Sequence, residues 1–483
     1  DVKRHVEKVI RPKGSKLPPL NRFHSTSSPS MVNTLYLPEI REMLAANDRE
    51  ELREFCTALH PARTAEFMEG LSATEAWEVL LAAELSTRVE IFSHFEEHFQ
   101  QDILESQDRD EIAELITELA PDDRVDALAD VEAAIVDELL VKIPAEERRD
   151  ILRLSQYPDG TAGANMTTDF AKLGESLTVK EALDEIGKQA EDLEMIYYLY
   201  IVDDDNHLRG LVSARQLVTA MRQPNTCLRD LMKTDLVTVR ALDDQEEVAD
   251  TVAKLNVIAI PVVDDEHHML GIITHDDVID VMQEEAVKDA HQSAAVNPLE
   301  DSYLRTHLFT LSWKRGIWLS ILFFCGLLTV LVLQRYQTNL EQWTWLIPFI
   351  PLVISSGGNS GNQSATLIIT ALGQGHISLS DWASVVWREL LMGLVLGFFL
   401  ALFGMLVSLW IAPNFNGIWV IPLTLILVVI SGTLTGSILP LVFKRMGLDP
   451  AIMSNPFVAG IVDILGICIY MTVALLILEP VAG

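Results

Sequence analysis

The stretch VAGIVDILGICIYM, residues 458–471, is apolar except for a single carboxylate, that of Asp463. The nearest charged residues along the chain are Asp449 before it and Glu479 after it. An acid near the centre of a membrane-spanning helix costs about 2.5–3.5 kcal/mol on insertion scales, so it is expected to face a bundle interior or water. The stretch therefore predicts a membrane domain in which Asp463 lines a polar interior.

The last part of the chain contains five apolar runs, each long enough for the roughly 20 residues of a spanning helix. They lie at about 316–333, 344–372, 383–411, 417–443 and 451–478. Five spans place the two ends of this domain on opposite sides of a bilayer. By that count Arg335 lies on the outer side. Six basic residues lie on the side of the N-terminal domains, namely Arg305, Lys314, Arg315, Arg388, Lys444 and Arg445. Because cytoplasmic loops are enriched in Lys and Arg, we expect a multi-pass protein of the cytoplasmic membrane with cytoplasmic N-terminal domains and an outer C-terminus.

Asp463 shares one face of its predicted helix with three other residues, Asn455, Ala459 and Gly466, because steps of three or four residues return to the same side. One carboxylate, one amide and two small residues are typical of the wall of a narrow, wet path that attracts cations. The structural alternative is a carboxylate capped by hydroxyls of a neighbouring helix, with the small residues serving close packing.

The second apolar run is interrupted by SSGGNSGNQSAT, residues 355–366. Its glycines and asparagines are expected to unwind or thin a helix, which is tolerated at membrane depth only where the backbone lines protein or a water-filled cavity. Gly358 and Asn362, four positions apart, are expected to meet the face that carries Asp463. A plain packing kink is the structural alternative.

The oxygen ligands of this predicted path favour a hard cation. Carboxylate and amide oxygens without Cys or His suit such an ion, and sparse ligands on walls of small residues suit one that keeps its water, which indicates Mg²⁺. We count a single carboxylate, Asp463, for each chain. A symmetric homodimer would place two of them on its axis, so dimerisation is part of the hypothesis.

Apolar and charged residues are segregated along the chain, which is 49% hydrophobic and 22% charged. Of the 69 acidic and 36 basic residues, 60 and 22 lie within residues 31–300. Such an acidic block repels nucleic acid and anionic lipid and attracts divalent cations. The four cysteines have no paired spacing, so we expect neither disulfides nor a zinc site. Residues 1–34 are predicted to be a disordered tail, since they begin with a basic, Pro/Ser-rich segment and lack the apolar core of a secretory signal.

Residues 35–159 have a helical period, with helix starts such as LHPARTAEFMEGL (59–71) and LAPDDRVDALADV (119–131). Pro in a first turn followed by acids predicts short helices stacked in a superhelix. Within them HFEEH (94–98) matches the HxxEH motif of a metalloprotease helix. No third zinc ligand is evident, so we expect the solvated face of an ordinary helix. No phosphate-binding glycine loop or nucleophile elbow is present, so we predict that the protein is not an enzyme.

Residues 160–283 contain a repeat. YLYIVDDDNHLRGLVSARQLVTAM (198–221) aligns with IAIPVVDDEHHMLGIITHDDVIDVM (258–282), so that Gly210 falls on Gly271 and Asp203 on Asp264. Each unit has the pattern of a strand, an acidic turn, a second strand and a helix, which predicts two α/β modules packed sheet to sheet. The tandem resembles a pair of CBS domains, which implies a regulatory module that binds adenine nucleotides or metal.

A connecting helix is predicted over residues 284–305, after the acidic segment THDDVIDVMQEEAVKDAHQSA (274–294). Its acids are Asp276, Asp277, Asp280, Glu284, Glu285 and Asp289. Their repulsion would separate such helices in a dimer and divalent ions would draw them together, which predicts a gate closed by internal Mg²⁺. For Asp277 the local alternative is a capping box with Thr274.

The complete order is a tail, an N-terminal α-superhelical domain, a tandem CBS (α/β) pair, a connecting (plug) helix and a five-helix transmembrane domain at 306–483. With GGNSGNQSATLIITALG (357–373) and DPAIMSNPFVAGIVDILGICIYM (449–471), this order resembles the MgtE family of magnesium channels over roughly residues 35–480. The resemblance implies a homodimer that conducts Mg²⁺ past Asp463, with pore positions at Asn362, Asn455, Ala459, Gly358 and Gly466. It also implies regulatory metal sites at Asp244, Glu246, Asp277, Asp280 and Glu285. Lys288 stands where the family usually has a further acid.

ATP binding in the CBS pair, which the resemblance also raises, is left open. Tyr197, Tyr198 and Arg215 are the candidate residues. The acid expected after Arg215 is Gln216, and Val257 stands where an aromatic ring would stack on adenine.

Two functional alternatives to a channel remain. One is a secondary transporter that exchanges Mg²⁺ for another cation on the same scaffold, and the other is a membrane-anchored Mg²⁺ sensor that transports nothing. The CBS pair also occurs in chloride channels, but an acidic pore residue repels anions.

Overall fold

The structure is a computed structural model that describes residues 36–190, 193, 195–299, 303, 306–452 and 455–478. The predicted tail, residues 1–34, lies outside the described residues. The chain divides into two compact units, one ending at Met282 and the other beginning at Gln283.

The first unit begins with short helices only, which confirms the predicted all-α class of this region. The described helices are α1 Leu37–Ala46, α2 Arg49–Ala58, α3 Pro61–Met68, α4 Ala73–Leu80, α5 Leu85–Phe92, α6 Glu97–Ser106, α7 Arg109–Glu118, α8 Pro121–Ala129, α9 Ala133–Lys142 and α10 Ala145–Leu154. Pro61 and Pro121 open α3 and α8, where a missing N–H costs no helical hydrogen bond. Ser72 and Glu75 form a capping box at α4. Buried apolar residues such as Leu80, Phe92 and Ile116 form one continuous core.

HFEEH does not form a metal-binding helix. Helix α5 ends at Phe92 and α6 begins at Glu97, so His94 and His98 are not one turn apart on a single helix. The His98 ring lies 3.3 Å from the Glu96 carboxylate. The expected solvated helix face is therefore interrupted by a turn between α5 and α6.

The second part of this unit consists of two equivalent α/β modules. The first contains β1 Phe170–Gly174, α11 Val179–Gln189, β2 Met195–Val202, β3 Leu208–Ser213 and α12 Ala214–Ala220. The second contains β4 Val239–Arg240, α13 Gln245–Leu255, β5 Ala259–Val263, β6 Met269–Thr274 and the start of α14 His275–Ser293. Each sheet has three strands, in the order β1-β2-β3 or β4-β5-β6, with one parallel and one antiparallel pair. The predicted duplication is confirmed.

The repeat-related glycines have the same structural role in both modules. A Cβ atom at Gly210 would lie 2.8 Å from the carbonyl oxygen of Lys233, and one at Gly271 would lie 2.6 Å from that of Thr167. Both positions therefore need glycine, because a neighbouring backbone passes across each strand. Residues of both sheets, among them Tyr200 on β2, share a further core cluster, as expected for modules that pack sheet to sheet.

Helix α14 differs from the predicted connecting helix over residues 284–305. It begins at His275 and ends at Ser293, and the chain then turns at Ala295, whose φ is 57°. The side chains of Asp276 and Asp277 accept hydrogen bonds from Thr274 at its start, which explains why the helix begins inside the second module.

The second unit contains the long apolar helices. They are α15 Leu308–Arg335, the short α16 Gln337–Gln342, α17 Ile350–Gly373, α18 Trp382–Ile411, α19 Val420–Arg445 and α20 Asn455–Leu478. Among the described residues, α15, α18, α19 and α20 belong to segments long and apolar enough to cross a membrane. Helix α17, about 36 Å long, is a fifth long helix but carries the polar segment 355–366. The count of five spans stays a prediction.

Helix α17 is continuous through SSGGNSGNQSAT, so the expected unwinding of the second span does not occur. Two pairs of glycines explain this. A Cβ at Gly432 would lie 2.5 Å from the carbonyl oxygen of Gly357, and one at Gly436 would lie 2.1 Å from that of Gly361. The glycines of α17 thus allow its backbone to lie directly against α19, and the helix is thinned but not broken.

Candidate ion pathway

The Asp463 carboxylate lies on α20, one third of the way along that helix, and is half-buried. Among the described residues no side chain forms a hydrogen bond or an ion pair with it. Hydroxyl capping, the structural alternative for this acid, is therefore absent from this part of the chain. The oxygens of Asp463 are free to bind an ion or its water.

Helix α17 presents small residues to Asp463. A Cβ built at Gly358 would meet the Cβ of Ala459 at 3.5 Å and Oδ1 of Asp463 at 3.6 Å. The predicted contact between the Gly358 face and the Asp463 face is therefore present within this chain. Three of the six predicted pore residues meet here.

Polar groups of the remaining predicted pore residues lie along the same two helices. Thr366 Oγ1 donates to Oδ1 of Asn455 at 3.2 Å, which links α17 to the first residue of α20. Oδ1 of Asn362 is buried and has no hydrogen-bond partner among the described residues. Gly466 is buried, with Val428 and Val353 nearest to where its Cβ would be, so it lies toward a packed apolar core. The pore roles of these residues stay predictions.

A second acid lies among the membrane helices, which corrects the expectation of one carboxylate per chain. Glu389 belongs to α18, and its Oε2 accepts a hydrogen bond from Ser364 Oγ at 2.5 Å. The signal was present in the sequence, because Glu389 falls within the apolar run 383–411, as Asp463 falls within its own run.

The predicted regulatory acids Asp277 and Asp280 lie near an acid that sequence reasoning missed, Asp123 at the start of α8. Removal of water by surrounding protein raises the pKa of Asp123 to about 6, and the negative charges of Asp277, Asp276 and Asp280 add to this shift. Burial likewise raises the pKa of Asp277 and of Asp280. Asp123 keeps an exposed side, so the cluster is crowded yet open to ions from solvent.

The other predicted regulatory acids already have local roles. Asp244 caps α13, its Oδ1 accepting from the backbone N–H of Glu246 at 2.9 Å. Glu285 accepts hydrogen bonds from Lys288 Nζ at 2.9 and 3.1 Å. Lys288 therefore not only replaces an acid but also neutralises a neighbouring one.

Asp289, near the end of α14, faces an acid of the loop between α19 and α20. Burial raises the pKa of Asp289, and the charges of Asp449 and Glu285 raise it further. Asp449 was not among the predicted site residues, because nothing in its local sequence shows which helix it approaches. Within the described residues no group of three or more His, Cys, Asp or Glu side chains is arranged to hold a metal ion. Each acidic pair in one chain is thus an incomplete ligand set.

The candidate nucleotide residues lie together at one end of the first sheet. Tyr198 on β2 pairs with Ser213, and Arg215 follows in α12. Tyr197 is 63% exposed. Gln216, which replaces the expected acid, accepts hydrogen bonds from the backbone N–H and the hydroxyl of Ser213 at 2.9 and 2.8 Å. Its side chain is engaged in capping α12.

Comparisons with known proteins cover nearly all of this architecture. The MgtE profile, described as a divalent cation transporter, matches residues 350–473. The MgtE intracellular N domain matches 59–160, and the CBS domain matches 163–223 and 228–284. The magnesium transporter MgtE of Thermus thermophilus is 35% identical over 92% of this chain and 98% of its own length. The chain belongs to the MgtE family.

Other MgtE relatives agree with this assignment. The magnesium transporter MgtE of Bacillus subtilis is 30% identical over 80% of this chain and 84% of its own length. Among solved structures, the soluble part of a magnesium transporter is 32% identical, covers 52% of this chain and 97% of that chain, and has a TM-score of 0.48. The cytosolic domain of the Mg²⁺ channel MgtE in complex with ATP is 32% identical, covers 50% of this chain and 98% of that chain, and has a TM-score of 0.47. The three family models together match the helical domain, the CBS pair and most of the apolar helices.

Proposed function

We propose that this chain forms a homodimeric, Mg²⁺-selective channel of the cytoplasmic membrane that intracellular Mg²⁺ closes. The observation that carries the proposal is the Asp463 carboxylate, half-buried among membrane helices beside Gly358 and without a protein partner among the described residues. Structural acids at such positions are rare, because their charge must be compensated. In this proposal hydrated Mg²⁺ is the cargo that compensates it.

The dimer supplies the second carboxylate on the pathway. One Asp463 from each subunit doubles the negative charge without a second motif, as a two-fold axis allows. Basic flanks orient the acidic domains to the cytoplasm and the C-terminus to the outside. Inward movement then needs no coupled reaction, because each unit charge gains about 2.3 kcal/mol per 100 mV of membrane potential.

Closure by Mg²⁺ is supported by two places where carboxylates repel one another. One is Asp123 with the acids at the start of α14, and the other is Asp289 with Asp449. A divalent ion bound at either place attracts the carboxylates on both sides of it. It therefore favours the conformation in which these acids lie close together. Since the ligand sets are incomplete in a single chain, further ligands come from water or from the partner subunit in this proposal.

The test is Mg²⁺ influx into vesicles that contain the full chain. We expect influx through the native chain to be lost in Asp463→Ala and to decrease as Mg²⁺ on the side of the acidic domains rises. A reversal potential that follows the Mg²⁺ gradient alone identifies a channel, whereas dependence on a second cation gradient identifies a coupled transporter. Equal influx through the native and Asp463→Ala chains would overturn the proposal and favour a sensor without transport.

A further inference from the structure

Glu389 joins three helices of the membrane unit. Its Oε2 accepts a hydrogen bond from Ser364 Oγ on α17, and its backbone carbonyl oxygen accepts one from Thr433 Oγ1 on α19 at 3.1 Å. Ser364 is only 4% exposed. A carboxylate in this setting makes a strong, directional contact, because hydrogen bonds to charged acceptors are shorter and stronger than neutral ones.

The contact lies about 9 Å along α17 from Gly358, the residue that adjoins the Asp463 carboxylate. Lys444 Nζ donates to the carbonyl oxygen of Leu372 at 3.4 Å, so the C-terminal ends of α17 and α19 lie side by side. Thr366, two residues beyond Ser364, donates a hydrogen bond to the first residue of α20, whereas Asp463 lies about 12 Å further along α20. Glu389 therefore acts almost two turns from the part of α17 that adjoins Asp463, and it does so through a continuous helix.

Glu389 contacts the side of α17 that faces away from Asp463. At 100° per residue, Ser364 is about 120° from Gly358 and about 160° from Asn362 around the helix. Elsewhere α17 packs its glycines against α19 and against valine side chains of α20, and Thr366 donates a second hydrogen bond to Asn455. The hydrogen bond from Ser364 to Glu389 thus adds a directional restraint on the rotation of α17, on the side of the helix opposite Asn362.

We propose that Glu389 is a positioning residue that, through Ser364, holds the Gly358 and Asn362 face of α17 toward Asp463 and so sets the selectivity of the ion path. The inference rests on the proposed function, since it assigns what keeps that path in shape. Glu389 does not bind the ion in this mechanism. Its carboxylate stabilises the backbone arrangement that determines the width of the path, and pore width is one of the properties that discriminate between cations.

The experiment measures Mg²⁺ and Ca²⁺ influx into vesicles that contain the full chain and compares the ratio of the two. Ser364→Ala and Glu389→Ala are expected to lower the Mg²⁺/Ca²⁺ ratio about tenfold, the factor that corresponds to losing one hydrogen bond to a charged group. Glu389→Gln should retain most of the native ratio, because its amide oxygen still accepts from Ser364. The double variant should be no worse than Glu389→Ala alone.

Ser360→Ala is the matched control. Ser360 lies one turn from Ser364, is 7% exposed, and its hydroxyl has no hydrogen-bond partner among the described residues. Its removal should leave the ratio unchanged. If Glu389→Ala does not fold, Ser364→Ala still measures the ratio, because the loss of one hydroxyl oxygen from a helix should leave the chain folded.

Three results would overturn the inference. The first is a native ratio in both Ser364→Ala and Glu389→Ala, whatever happens to total influx. The second is a loss in Glu389→Gln as large as that in Glu389→Ala, which would assign the effect to charge and not to position. The third is undiminished influx in Asp463→Ala, which overturns the proposed function together with the inference. If Asp463→Ala does lose influx, the proposed function stands and the Mg²⁺/Ca²⁺ ratio tests the inference separately.

Discussion

The carboxylate of Asp463 lies directly beside Gly358, where a Cβ atom would approach its Oδ1 to 3.6 Å. This distance is an ordinary van der Waals contact, unlike the impossible approaches that explain the glycines facing α19. Glycine at position 358 is therefore not required for the helices to pack. What the missing methyl group provides is free volume next to the acid.

Gly358→Ala should reduce Mg²⁺ influx on the order of tenfold, because passage depends on the pore diameter beside the acid. Stability should not decrease, since alanine in a helix is favoured over glycine by roughly 0.5–1 kcal/mol. Influx into vesicles and thermal unfolding of the same preparation check the two statements.

Gly326→Ala provides the control for this substitution. Gly326 lies in α15, another long apolar helix, and its added Cβ would meet nothing within 4 Å. It should keep native influx. Native influx in Gly358→Ala as well would show that the ion does not pass between Gly358 and Asp463.

Gly436→Ala should destabilise the membrane unit, because its Cβ would lie 2.1 Å from the carbonyl oxygen of Gly361. Overpacking of this kind costs about 1–3 kcal/mol or more, since neither backbone can move aside without separating α17 from α19. The thermal unfolding midpoint of the purified chain measures the effect. Gly460→Ala, whose Cβ would meet Cys325 at an ordinary 3.5 Å, is expected to retain the native midpoint. An unchanged midpoint in Gly436→Ala would contradict the close packing of α17 on α19.

The duplicated modules could be predicted because the repeat is local and complete in each copy. Gly210 and Gly271 occupy equivalent strands, and each meets a crossing backbone segment. The glycines of α17 were harder to interpret, because a glycine-rich segment is equally compatible with an unwound helix and with close packing. The partners that decide between these, Gly432 and Gly436, belong to a separate helix, so only the folded chain shows the pairing.

The candidate site was predictable where one segment carries the whole signal. Asp463 stands alone in an apolar run, and its face could be listed from helical geometry. Asp123 and Asp449 could not be found in this way, because each is an ordinary acid in its own segment. Their electrostatic role arises only from the helix that packs opposite them, and that packing depends on the apolar faces of several distant elements.

Asp123→Asn should stabilise the Mg²⁺-free chain at pH 7.5. The pKa of Asp123 in the folded chain is raised to about 6, from an ordinary value of 3.8, so the folded state binds the proton more tightly than the unfolded state does. Stability therefore falls as pH rises from about 4 to 6, and the penalty is complete above that window. Because Asp123 keeps solvent access, we expect Asp123→Asn to raise the free energy of unfolding by less than about 1 kcal/mol.

The measurement for Asp123→Asn is the unfolding midpoint against pH, with a chelator present. The native and variant curves should diverge as pH rises from about 4 to 6 and stay a constant distance apart above that window. Added Mg²⁺ should stabilise the native chain more than the variant, since the variant lacks one carboxylate of the cluster. Parallel curves at every pH would show that neither burial nor the acids at the start of α14 raise the pKa of Asp123.

Lys288→Gln should make the channel close at lower internal Mg²⁺. Lys288 pairs with Glu285 at 2.9 Å, and its positive charge also lowers the pKa of Asp289. Removal of that charge leaves Glu285, Asp289 and Asp449 with more negative potential for a divalent ion. One charge near a protein surface contributes on the order of 1 kcal/mol, so the Mg²⁺ concentration for half-closure should fall about fivefold.

Lys254→Gln is the matched control for Lys288→Gln, because Lys254 forms an equivalent helical pair with Asp250 at 2.9 Å on α13. It removes the same charge at the far end of α13, about 12 Å along the helix from the predicted metal residue Glu246. Influx measured against internal Mg²⁺ should give the native half-closing concentration for Lys254→Gln and a lower one for Lys288→Gln. An equal shift in both variants would indicate a general effect of net charge. No shift in Lys288→Gln would place the closing ion away from Asp289 and Asp449, because an ion bound between these carboxylates must respond to the nearest positive charge.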